Sequence, residues 1–319
     1  MLAKELQELI HTPSVCGFEE AIISYISTWW KEQWLPTQTF PWYWVIIWNP
    51  QASTYFIAHI DEVGGRVSYV DESTIHIESK WRISSSMWIW RDIEIITKDW
   101  IIPGIVSSPS ILNMEQNDIH SLHISVDPTQ RSKIQRGNPI RYKAMFQDLP
   151  ASIIATGLDN KLGVVIAMEL ALKHQDTDFL KNNAICLCGQ EEDKNQWAMY
   201  FMQQFMPKRQ IILDISPMNN EIPNNPHQSL FISKTADYHL DENYIALCEQ
   251  AWFENIQTTL AILNRSEAMQ YQNQTKWVAM NLNIPVYNYH LGSYFVYKDA
   301  IEHFEKCLQA LIETLPVIE

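Results

Sequence analysis

Four short apolar runs in this 319-residue chain each end in a side chain able to bind a metal ion. "YFIA" leads to His59, "AICLCGQ" to Glu191 and Glu192, "IIL" to Asp214 and "IPVYNY" to His290. Short apolar runs of this kind read as buried strands. In open α/β sheets the ligand crevice lies beyond the carboxyl ends of the strands, so the four ends could converge on one rim. Asp159 would join them from the start of the helical pattern "LDNKLGVVIAMELALKH", where a carboxylate also serves as a cap. Two histidines and three or four carboxylates make a nitrogen and oxygen ligand set suited to zinc or a similar divalent first-row ion. That is more than one catalytic ion needs. With Asp159 bridging two ions, each would keep about three protein ligands and share a water, as in two-metal hydrolytic sites.

The adjacent glutamates fit that arrangement, because neighbours on extended chain point in different directions. One can bind metal while the other faces the shared water as general base. A glycosidase acid/base pair fits less well, since those carboxyls must flank a bond from opposite sides at roughly 5–9.5 Å. Asp61, two residues after His59, could orient the imidazole through its other nitrogen. His120 and His123 lie three apart in a strand pattern, hence on opposite faces, and are not expected to be ligands. Cys186 and Cys188 share one face of an apolar strand and are expected in the core.

The elements that must position these side chains follow from periodicity and punctuation. Residues 3–10 and 18–30 read as helices separated by "HTPSVCG", and "TYFIAHID" as a short buried strand. From about Gly64 to Pro150 the text becomes strand-like, with "STIHIES", "DIEIITKD", "IIPGIV" and "SLHISVD". Beyond it, apolar strands alternate with helices, which implies a largely parallel sheet. The expected fold is therefore α/β, a mostly parallel sheet flanked by helices, with a small β domain inserted. Residues 1–64 and 151–319 would form the discontinuous α/β domain and 65–150 the insertion. The formal net charge of -14 and the lack of a clustered basic surface argue against nucleic acid as partner. No run approaches 18 apolar residues, so no membrane span is expected. The amino terminus carries Lys4, Glu5 and Glu8 and lacks a signal-peptide core, and five cysteines without C-x-x-C spacing suit a reducing compartment. A cytoplasmic location is the expectation.

"LIHTPSVCGFEE", "AHIDEVGGRVSYVDE", "ITKDWIIPGIV", "LDNKLGVVIAMELA", "CGQEE" and "LDIS", in this order along most of the chain, resemble the M42 family of metallo-aminopeptidases, of the glutamyl or tetrahedral aminopeptidase type. The resemblance implies a dinuclear hydrolase, usually with zinc or cobalt, that removes amino-terminal residues from short peptides. It implies that the insertion is a PDZ-like β-barrel used for dimerisation, in a homo-oligomer that is dimer-based and often a tetrahedral dodecamer. It assigns one metal to His59, Asp159 and Asp214, the other to Asp159, Glu192 and His290, and the general base to Glu191. The chain departs from the family in places. After Q-E-E the family runs V-G-x-x-G-A, whereas here Asp193-Lys194-Asn195-Gln196-Trp197-Ala198 keeps only the alanine. Lys161 stands where an arginine is usual, and the later G-G-T-D-A-G loop has only "NRSEAMQ" around Glu267 as its nearest text. A carboxypeptidase or amidohydrolase could use the same ligands. The altered 193–197 loop also leaves open a non-catalytic metal-binding assembly protein.

Trp90, Trp100, Trp197 and Trp252 fall where the family has glycine. Ordinary usage of roughly 7 % predicts about 22 glycines in a chain of this length, yet there are 9, beside 13 tryptophans. In "TKDWII", Asp-Gly between two strand runs would be a strong hairpin signal and Asp-Trp is not. Many of these tryptophans are therefore expected to be UGA codons that some bacterial lineages read as glycine, written here as tryptophan. The other reading is a divergent member with genuine aromatic side chains.

Overall fold

The computed structural model describes residues 2–35, 37–40, 45–71, 74–79, 85–107, 122–175, 178–193, 203–218, 230–234, 256–260 and 278–314. Along the chain these form α1 (Leu2–His11), α2 (Glu20–Glu32), β1 (Gln38–Phe40), β2 (Val45–Trp48), β3 (Thr54–His59), β4 (Gly65–Val70) and β5 (Ile75–Ser79). Next come α3 (Ser85–Trp88), β6 (Asp92–Ile96), β7 (Ile101–Ser107), β8 (His123–Val126), β9 (Pro139–Tyr142), β10 (Phe146–Asp148) and β11 (Ser152–Ala155). The carboxyl-terminal part holds α4 (Leu158–His174), α5 (Phe179–Asn182), β12 (Asn183–Cys188), β13 (Arg209–Pro217), β14 (Leu230–Lys234), β15 (Ile256–Leu260), β16 (Val278–Val286), β17 (Tyr294–Tyr297) and α6 (Lys298–Thr314).

The main sheet has the order β1-β2-β12-β3-β13-β16-β14-β15. Its centre is parallel: β3 pairs with β12 and β13, and β13 pairs with β16. A parallel centre covered on both faces calls for continuous apolar strands rather than alternation. All six residues of β3 are accordingly buried, and Cys186 and Cys188 of β12 are core residues. Helix α4 packs on β3 and β13, and α1 packs on α4. In α2 the buried residues Ile22, Ile26 and Trp30 recur every four positions, the stripe of a helix facing a core.

Between β3 and β10 the chain leaves this sheet and closes an antiparallel barrel in the order β4-β5-β8-β7-β6-β9. The barrel has its own core around Val67, Ile75, Ile77, Trp88, Ile93 and Ile140. The α/β sheet flanked by helices, with a closed β-barrel between its first strands and the rest, is the fold class the sequence predicts. No helix among the described residues is long and apolar enough to cross a membrane.

The tryptophans divide on inspection. Trp34 has φ +60° and Trp90 has φ +62°, the left-handed region that an L side chain seldom occupies. At Trp34 the reason is plain. The Trp34 N–H bonds the Lys31 carbonyl at 3.1 Å and the Leu35 N–H bonds the Trp30 carbonyl at 2.9 Å. That pair of bonds is the Schellman ending of a helix, whose left-handed position is ordinarily glycine. Trp100 corrects the expectation. It is not among the positive-φ residues: it ends the Thr97–Trp100 turn, closed by the Thr97 N–H on the Trp100 carbonyl at 2.9 Å, with ordinary backbone. Trp197, Trp252 and Glu267 lie outside the described residues.

Candidate metal centre

The parallel register brings the strand ends together. Cys188 of β12 lies beside His59 of β3, so the chain leaving β12 passes Asp61 and delivers Glu191 and Glu192 next to that imidazole. Asp214 lies within β13 rather than after it, opposite Asn283 of β16, and the segment after β16 carries His290. Asp159 stands between the two imidazoles. Its Oδ1 is 3.2 Å from His59 Nε2 and its Oδ2 is 2.9 Å from His290 Nε2. His59 Nε2 is also 3.8 Å from Asp214, and His290 Nε2 is 3.9 Å from Glu192 Oε1. Two three-residue groups result, His59–Asp159–Asp214 and Asp159–Glu192–His290, each with its candidate ligand atoms within 4.8 Å of one another.

The start of α4 shows why Asp159 is held there. The Asn160 side-chain amide donates to the Leu213 carbonyl at 2.7 Å, and its oxygen accepts the Gly163 N–H at 3.1 Å. One asparagine thus ties the helix start to β13 at the residue before Asp214. A Cβ on Gly163 would lie 2.4 Å from that Asn160 oxygen and 2.5 Å from the Leu213 carbonyl, so only glycine fits. The D-N-x-x-G spacing is the sequence trace of this staple.

With that geometry in view, comparison with known proteins is decisive. The family model described as M42 glutamyl aminopeptidase matches residues 46–307. The chain belongs to the M42 peptidase family. It is therefore a peptide hydrolase of a metallopeptidase family. The fold is shared with the TET aminopeptidase of the marine sediment archaeon Thaumarchaeota archaeon SCGC AB-539-E09, at 15 % identity and a TM-score of 0.84, covering 99 % of this chain and 97 % of that one. It is shared also with the Pyrococcus horikoshii TET1 peptidase, at 18 % identity and a TM-score of 0.81 over 98 % of this chain and 99 % of that one. The aminopeptidase APDkam598 of Desulfurococcus kamchatkensis aligns at 14 % identity, TM-score 0.81, over 98 % and 94 %. No curated protein sequence matches.

The electrostatics of the M42 site suit cations. Glu192 is only 4 % exposed and its Oε1 has no hydrogen-bond partner among the described residues, a costly state for a carboxylate unless something cationic faces it. Burial, and then the charges of Asp159 and Glu191, push the Glu192 carboxyl well above the usual carboxylate range. Burial would also raise Asp159, but the hydrogen bonds from His290 and His59 prevail and hold it well below that range. Burial alone would favour neutral His59; its contacts with Asp159 and Asp61 outweigh this and raise it well above an ordinary histidine. Five ligand-type side chains crowded over an apolar sheet, with one oxygen orphaned, fit divalent ions held between them.

Asp61 differs from its sequence-based expectation in emphasis. Its Oδ1 lies 3.5 Å from His59 Nδ1, too long for a good hydrogen bond. Its two oxygens instead accept the backbone N–H groups of Glu191 and Glu192, each at 3.1 Å. Residues that sequence reasoning missed lie just behind. Glu62, 6 % exposed, accepts from Ser14 N–H at 3.0 Å, from Lys161 Nζ at 3.1 Å and from Arg141 Nη1 at 3.4 Å. Arg141, on barrel strand β9, also donates to Glu94 at 2.8 Å and to the Ile10 and His11 carbonyls at 3.1 and 3.0 Å. This buried ion cluster ties the barrel to the end of α1 and the start of α4. Lys161, in the position where the family usually has arginine, serves it with one ammonium that donates to Glu62 and, at 3.3 Å, to the Thr12 carbonyl.

Proposed function

We propose that this M42 peptidase is an aminopeptidase that removes amino-terminal residues from short peptides using two divalent metal ions, zinc or cobalt. The observation that carries the reading is Asp159, whose two oxygens face two different imidazoles and so join two three-residue ligand groups into one site. His59, Asp159 and Asp214 would hold one ion, and Asp159, Glu192 and His290 the other. Ions bound there would polarise the scissile carbonyl and make water a stronger acid and nucleophile at neutral pH. Glu191 neighbours Glu192 but remains partly exposed, so it can meet solvent and substrate. It takes the proton of the attacking water and returns it to the leaving amine, the work of a general acid–base group. Asp61 fixes the backbone that carries both glutamates.

The catalytic unit would comprise residues 1–64 and 151–319, and 65–150 would form a dimerisation domain in a homo-oligomer as large as a dodecamer. What supports this is the separate barrel core, the exposed Trp100, Ile101 and Ile105 on the barrel surface, and the tetrahedral or octahedral assembly of the Pyrococcus horikoshii relative.

The test is hydrolysis of aminoacyl chromogenic substrates by metal-stripped protein, with and without added zinc or cobalt, beside an amino-terminally blocked control. Metal-dependent release from free-amine substrates alone is the expected result. Cleavage of the blocked control would move the reading to a related carboxypeptidase or amidohydrolase, and bound metal without turnover to a binding protein.

A further inference from the structure

The turn that carries Glu191 and Glu192 begins where β12 ends at Cys188, so its backbone N–H groups have lost their strand partners. Such groups, when buried, need other acceptors. Three consecutive amides find them in two buried carboxylates. The Gln190 N–H donates to Glu19 Oε1 at 3.1 Å, while the Glu191 and Glu192 N–H groups donate to the two oxygens of Asp61. Glu19 and Asp61 are both fully buried.

Glu19 is an unusual supplier. It stands at the N-cap of α2, yet its side chain makes no capping bond to that helix. It turns instead to the Gly17 N–H at 2.9 Å and across 171 residues of sequence to Gln190. Gln190 has φ +61°, a conformation that a non-glycine residue keeps only where its surroundings impose it. That conformation sets the direction in which the next two side chains leave the turn.

We infer that Glu19 is a positioning residue for the two glutamates. By holding the Gln190 amide it fixes the left-handed start of the turn and so aims Glu191 at the reacting water and Glu192 at its metal, without touching either. This rests on the aminopeptidase reading above. Asp61 does not do this work, because its oxygens face the Glu191 and Glu192 amides and the Gln190 amide goes to Glu19.

The experiment uses the full chain loaded with zinc or cobalt and compares wild type, Glu19→Gln, Glu19→Asp and Glu19→Ala. Kinetics on a free-amine aminoacyl substrate are read beside metal content and amide hydrogen exchange at residues 190–192 in the metal-free protein. Glu19→Gln keeps an acceptor oxygen in place and should stay within about threefold of wild type. Glu19→Ala should lose kcat by about 10²-fold, the scale of a misplaced catalytic group, with KM changed less than about threefold. Bound metal should remain, and exchange at Gln190 should become fast. Glu19→Asp, which withdraws the acceptor but spares the cavity, should follow Glu19→Ala and serves alone if the alanine variant fails to fold. Wild-type kcat in the alanine or aspartate variant, or an equal loss in Glu19→Gln, overturns the inference while leaving the aminopeptidase intact. An inactive wild type overturns the reading beneath it, and the inference with it.

Discussion

Replacing Trp34 and Trp90 by glycine should stabilise the protein, although each change deletes the largest side chain. Both residues occupy left-handed backbone, φ +60° and +62°, which costs an L residue about 1–2 kcal/mol. Glycine removes that cost but adds chain entropy of roughly 0.5–1 kcal/mol. Little apolar contact is at stake, since Trp34 is 91 % exposed and Trp90 66 % exposed. The net gain is about 0.5–1 kcal/mol at each position, and distant sites add. With an unfolding entropy of about 0.7 kcal/mol/K for a chain of this size, the pair's gain of about 1–2 kcal/mol should raise Tm by about 1.5–3 °C. Trp30, four residues before Trp34, supplies the contrast. It is 1 % exposed inside α2, so Trp30→Gly should cost about 4–6 kcal/mol, about 3–5 from the lost core and about 1 from glycine in the helix. Thermal unfolding of the three single variants and the double variant decides between them. A Tm drop for Trp34→Gly or Trp90→Gly would refute the reasoning, because it would show the indole making up for its backbone. If the left-handed Trp34 and Trp90, and Trp197 where the family has glycine, are recoded glycines, peptide masses from the native organism should show glycine at all three. Trp30 should remain tryptophan. Tryptophan at 197 in that protein would end the recoding idea.

Glu191→Gln should abolish peptide hydrolysis while retaining bound metal, as measured by metal analysis of the purified variant; full activity there would remove Glu191 as general base. Stripping metal should lower Tm, and restoring zinc or cobalt at about 100 times its Kd should return about 2.7 kcal/mol of stability; an unchanged melting curve would mean that no ion binds the folded site. Arg141→Ala leaves Glu62 and Glu94 facing an emptied buried position and should cost about 3–5 kcal/mol in urea unfolding. Arg66, half-exposed in its surface ion pair with Glu78, should cost less than about 1 kcal/mol when changed to alanine. Glu169 on α4 faces Glu305 on α6, and burial followed by that like charge pushes Glu169 up to about 7. A raised carboxyl binds its proton more tightly in the folded state, so its contribution is full below the unfolded value of about 4.3 and is lost as pH rises through the folded value. Glu169→Gln should therefore raise Tm at pH 8 and leave it unchanged at pH 4; an equal gain at both would exclude a shared proton.

The legible part of this molecule was the part encoded in short windows. His59 could be read because a buried parallel strand is a continuous apolar run whose end is visible. Asp159 could be read because its asparagine and glycine neighbours form the staple onto β13 within five residues. Helix α2 and the β6–β7 hairpin were likewise local. The rest depended on partners far apart in sequence. Nothing near Glu19 announces a bond to residue 190, and nothing near Arg141 announces the carbonyls of Ile10 and His11. Asp61 marks the boundary. Its spacing from His59 implied an imidazole partner, since residues two apart on extended chain share a face. The strand ends at His59, however, and the chain turns, so the carboxylate swings toward the amides of the facing turn. Tryptophan shows the same limit from the other side. Trp100 sits in the better hairpin motif but needs no unusual backbone, whereas Trp34, in the unremarked "KEQWLP", occupies the glycine position of a Schellman ending. The need for positive φ is set by the bonds that close a helix or turn, and those become visible only once the helix has an end.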